Sequence, residues 1–163
     1  MDLQGQIVQY LATGLTLGSI YAMVGLGFTI IYNATGIINL AQGEFVMFGG
    51  LIMVFFTTTL GLPLFLSFFI TLALTTLIGM IYERLFIRHP SKTAPLMTLL
   101  IITVAVSIFF RGIAMFIWGK EPYSLPHFSS PKPIIIGGAA ILPQVFWILG
   151  LSLLAVILMN LFF

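Results

Sequence analysis

Five runs of about 20 or more nearly uninterrupted apolar residues leave this chain few ways to fold. They lie at roughly Ile7 to Tyr32, Leu40 to Leu60, Pro63 to Leu85, Pro95 to Trp118 and Pro143 to Phe163. A helix of about that length crosses the ~30 Å hydrocarbon core while satisfying its own backbone hydrogen bonds, which lipid cannot do for it. Short alternating strands would instead mark a membrane barrel, and these runs are apolar on every face. With 60% of its 163 residues hydrophobic and 6% charged, the chain has little left over for a soluble domain. The expected fold is therefore all-α, a polytopic transmembrane helical bundle of about five spans in one domain, with an external loop over 119–142.

The six Lys and Arg residues stand scattered at helix ends, without the basic clusters that phosphate neutralisation needs, so nucleic acid is not an expected partner. The absence of cysteine removes disulfides, thiolate metal sites and thiol catalysis. The start, "MDLQGQIVQYLATG", lacks the basic region and small-residue cleavage site of a removable signal, so the first helix is expected in the mature protein. Arg84, Arg88 and Lys92 crowd beside His89 into one connection, which places that connection in the cytoplasm. Counting from it puts the N-terminus outside, the turn Asn33 to Asn39 inside, and the stretch Gly119 to Leu142 outside; Lys120 and Lys132 run against this orientation.

Pro63, Pro95 and Pro143 suit helix starts, where a missing N–H costs nothing. Asn39 followed by Gln42 looks like an N-cap with a capping partner, which starts the second helix near Leu40 and sets Glu44 just over one turn inside it. The proline-rich "GKEPYSLPHFSSPKPIIIGG" reads as an ordered outer loop whose "PIIIGG" can form a short strand.

Gly14, Gly18, Ala22, Gly25 and Thr29 recur at spacings of three and four, a face that lets another helix approach closely or lines a solute route; packing is the preferred reading. Thr71, Thr75 and Gly79 form a similar stripe leading to Glu83, again read as packing. Glu44 is different, because a carboxylate at mid-helix costs on the order of 2.5–3.5 kcal/mol on insertion scales. It must face protein or water, either lining or gating a solute route with Gly36, Asn39, Gln42 and Gly43, or pairing with a cation or with broken backbone near Gly36 and Gly43. Arg111 sits late in the fourth run, where its stem can snorkel to the outer face, so no Glu44–Arg111 pair is expected. His89 and His127 lie in separate loops and support no metal site. No nucleophile–base pair and no phosphate-binding glycine loop is present, so neither catalysis nor a cofactor is expected and any energy source must come from another subunit.

"TGLTLGSIYAMVGLGFTIIYNATGIINLAQGEFVMFGG", Thr13 to Gly50, resembles the opening of the Liv-type branched-chain amino acid ABC permeases. The family's motifs match at Gly18 to Ala22, Gly36 to Asn39 and Gly43 to Phe45, with Gln42 where histidine is usual. The likeness continues through "ERLFIRHPSKTAPLMTLLIITVAVSIF", where His89 separates Arg88 from Pro90, and through "FFRGIAMFIWGKEPYSLP", so that Arg111 is a family-typical feature. The resemblance implies a permease subunit of an ATP-driven amino acid importer in a bacterial inner membrane. It further implies ABC ATPase subunits, a second permease subunit and a periplasmic substrate-binding protein as partners, the last docking on the outer loop. Permeases of this family go on to a cytoplasmic coupling loop and further spans, so the chain corresponds to their N-terminal portion. A stand-alone carrier or channel, and a fragment that associates with intact subunits, are the alternatives.

Overall fold

The apolar runs become helices whose ends follow local chemistry: α1 (Leu3–Thr35), α2 (Gln42–Val54), α3 (Leu64–Tyr82), α4 (Leu96–Trp118) and α5 (Gln144–Phe162). Pro63 and Pro95 stand immediately before α3 and α4 with extended backbone (ψ 140° and 157°), as the ring's fixed φ allows at a helix start. Gly36 ends α1 in the left-handed region (φ 68°), its N–H returning to the Tyr32 carbonyl at 2.7 Å. The computed structural model describes residues 3–92, 94–125, 129, 130 and 132–162, without the side chains of Lys92 and Phe162.

Among the described residues, four helical stretches are long and apolar enough to cross a membrane: Leu3–Thr35, Leu64–Ile87, Leu96–Trp118 and Gln144–Leu161. The second run departs from expectation. Its α-helix has 13 residues, or about 20 Å, and only a single π-type turn, Phe55–Thr59, prolongs it. Asn39, Gln42 and Glu44 make the start of this run polar, and the chain stays irregular from Gly36 to Ala41 before turning helical at Gln42.

The chain divides into two compact units, residues 1–27 with 126–163, and residues 28–125. In the first, β1 (Ile134–Ile136) pairs antiparallel with β2 (Ala139–Ile141) across a Gly137–Gly138 turn in which both glycines have positive φ (58° and 82°). The turn rests on the start of α1: a Cβ at Gly5 would stand 2.9 Å from the Gly138 carbonyl oxygen.

In the second unit, α3 runs antiparallel to α2, with Met53 opposite Thr71, Gly49 opposite Thr75 and Phe45 opposite Gly79. The Thr71, Thr75 and Gly79 stripe thus faces α2, small residues admitting the neighbouring backbone. α4 runs parallel to α2, so Leu40 meets Thr103 and Glu44 meets Ser107. Phe45, Phe48, Tyr82 and Phe110 fill the space between these helices in edge-on and tilted contacts 5.4–5.9 Å apart.

Candidate functional site

The irregular segment before α2 is held by side chains that take over the work of missing helical bonds. Asn39 Oδ1 accepts from the Ala41 N–H at 3.1 Å and from the Tyr82 hydroxyl at 2.8 Å, while the Leu40 N–H donates to Thr103 Oγ1 at 3.3 Å. Asn39 is therefore not the N-cap of α2, and Gln42 is not its capping partner: the helix starts after Ala41, which makes no side-chain cap bond. Gln42 Oε1 is buried without a hydrogen-bond partner among the described residues. Thr103 lies seven residues into α4, about 10 Å along its axis, so unwound backbone sits beside the interior of a spanning helix. Such backbone is tolerated at membrane depth only where protein covers it or a cavity wets it.

Glu44 falls in the first turn of α2, where the amide dipoles favour an anion. Its Oε1 accepts from Ser107 Oγ at 2.8 Å and from Arg111 Nε at 2.7 Å. The Glu44 side chain is 6% exposed and that of Arg111 63%. This pair corrects the expectation that the two residues lie at different depths and do not meet. That expectation started α2 and α4 at the same level; because α2 starts late, its first turn lies beside the middle of α4. Ser107 and Arg111, four residues apart, share the α4 face that Glu44 meets.

Two clefts follow one another along α2. The first, about 680 Å³, is lined by Thr35, Asn39, Gln42, Thr75, Tyr82 and Glu83 together with apolar neighbours. The second, about 620 Å³, is lined by Met47, Leu51, Arg111, Trp118, Glu121 and other residues. Val46 belongs to both walls.

Of the residues singled out in the sequence, Asn39, Gln42, Gly43 and Glu44 gather where α2 begins, and Gly36 supplies the turn that leads there. Arg84 and Arg88 are exposed between α3 and α4, near the short turn Pro90–Lys92. No described atom outside the helix's own nearby backbone comes within 4 Å of a Cβ built at Gly14 or Gly18. Among the described residues no three His, Asp or Glu side chains form a metal-binding group, and His127 lies outside them. Tyr82, Thr103 and Ser107 went unremarked in the sequence. Thr103, Ser107 and Arg111 do recur every four residues in an otherwise apolar helix, which is the signal that points to them.

Fold and composition define a multi-pass helical membrane protein. Residues 10–163 match the family described as the branched-chain amino acid transport system permease component, and the chain belongs to that family. It is 31% identical over 127 residues to the high-affinity branched-chain amino acid transport system permease protein BraD of Pseudomonas aeruginosa, covering 73% of this chain and 41% of that protein. The LivH permease proteins of Salmonella typhimurium and Escherichia coli (strain K12) are each 28% identical over 127 residues. The chain thus spans about two-fifths of the length of these relatives, the aligned part being 41% of each. No solved structure matches it.

Proposed function

We propose that this chain is an N-terminal, membrane-embedded portion of a permease subunit in an ATP-driven importer of branched-chain or related amino acids, placed in a bacterial inner membrane. Its partners in this reading are ABC ATPase subunits, a second permease subunit and a periplasmic binding protein received by the outer loop 119–142. The connection carrying Arg84, Arg88 and Lys92 then faces the cytoplasm and the N-terminus the outside. Close packing against a further helix is the role kept for Gly14, Gly18, Ala22 and Gly25.

The observation that carries the proposal is the pairing of the buried Glu44 with the more exposed Arg111 beside unwound backbone, with a cleft on either side of Val46. Interrupted helices and intramembrane charges mark solute routes, because broken backbone and ionised groups both need protein or water around them. A route open to one side at a time needs two cavities separated by a barrier that moves, and Val46 is the residue common to both walls. Gly36 and Gly43 flank the segment that would move, with Asn39 and Gln42 on its inner wall.

Reconstitution in liposomes with the partner subunits tests the reading. Labelled leucine should accumulate only with ATP, and Glu44→Gln should lower uptake at least tenfold while the chain still inserts. Accumulation without ATP would point to a secondary carrier, and unchanged uptake by Glu44→Gln would remove Glu44 from the route.

A further inference from the structure

Resting on that reading, we infer that the second cleft is an amino-acid subsite in which Arg111 binds the solute's carboxylate. The one hydrogen bond that Arg111 makes to a described residue leaves from Nε, toward Glu44. A guanidinium has five donors in a planar fork, so the Nη edge that suits a carboxylate is left over. Glu44 holds the group in place from behind, and Glu44 is itself held by Ser107, so Arg111 keeps its direction whether or not a solute is present. The Trp118 ring lines the same cleft. A guanidinium edge left over on the wall of an open cleft calls for an oxyanion.

The rest of the wall selects among oxyanions. Met47, Leu51, Val54 and Met115 present an apolar surface, and Glu121 offers one carboxylate to an ammonium group. A molecule with a carboxylate, an ammonium group and a branched apolar side chain satisfies all three kinds of wall. A cleft of about 620 Å³ is within the range of small-molecule sites. A phosphatidylglycerol headgroup would satisfy the guanidinium but would place no cation against Glu121.

The chain holds two tryptophans, so Trp147→Phe leaves Trp118 as the single reporter. In a detergent-solubilised Trp147→Phe chain, leucine should shift Trp118 emission saturably, and leucinamide, which lacks the carboxylate, should bind at least about tenfold more weakly. Isocaproate, which lacks the ammonium group, should bind the Glu121→Gln variant at least as tightly as the parent chain, while leucine should bind the variant more weakly. Equal responses to leucine and leucinamide, no saturable response to either, or displacement of leucine by phosphatidylglycerol vesicles but not by excess isocaproate would each overturn the inference. If the fluorescence response is absent while the assembled transporter still takes up leucine with ATP, the subsite fails and the transport reading stands. If saturable, carboxylate-dependent binding persists without ATP-driven uptake, the reverse holds.

Discussion

Removing Arg111 should harm the chain more than neutralising Glu44, although Arg111 is the more exposed partner. In Arg111→Ala the Glu44 carboxylate, 6% exposed, keeps only the Ser107 hydroxyl at 2.8 Å. Stranding one member of a buried pair costs about 3–5 kcal/mol. Because the Arg111 side chain is 63% exposed, the pair is partly solvated and the figure should fall to about 2–3 kcal/mol. Glu44→Gln keeps a carbonyl oxygen for both donors and gives up only charge assistance, about 1–2 kcal/mol. For a chain of this size 1 kcal/mol moves a melting midpoint by roughly 2–4 °C. Melting followed by fluorescence-detected size exclusion in detergent should then show a fall of about 4–12 °C for Arg111→Ala and a smaller one, about 2–8 °C, for Glu44→Gln. The double variant should melt above Arg111→Ala, because a neutral amide needs no cation. A double variant whose loss is the sum of the two single losses, or an Arg111→Ala no worse than Glu44→Gln, would refute this reasoning.

Tyr82→Phe removes the 2.8 Å bond to Asn39 while keeping the ring against Phe45 and Phe110, and should lower stability by about 1 kcal/mol, read as a fall of a few degrees in the same melt. Gly5→Ala places a methyl group 2.9 Å from the Gly138 carbonyl oxygen and should speed amide hydrogen exchange across residues 134–141; Gly14→Ala, which meets no atom within 4 Å, should leave that exchange unchanged.

The helices were legible because bilayer thickness imposes a length and composition that few other contexts demand, and the prolines before Leu64 and Leu96 marked two starts. Depth was not legible. Counting residues treats each apolar run as a full span beginning at one surface, and α2 breaks that assumption by beginning beside Thr103 of α4. The Asn39 and Gln42 spacing mimicked a cap, yet Asn39 bonds across to Tyr82, a choice set by a helix 43 positions away. The Glu44 question was well posed by its charge alone; its answer, Arg111, required the parallel register of α2 and α4 that no local pattern encodes.

A solute route along α2 requires that water fill both clefts. The chain has no cysteine, so single substitutions can be read with a membrane-impermeant thiol reagent without background. On cleft walls of the assembled transporter, Leu51→Cys should react from the outer side, Thr75→Cys from the cytoplasmic side in inside-out vesicles and Val46→Cys from either, with leucine protecting each, whereas Phe65→Cys and Phe116→Cys, exposed and outside both clefts, should stay unreactive in lipid. Cleft positions as inert as Phe65→Cys would mean that no water-filled route runs along α2.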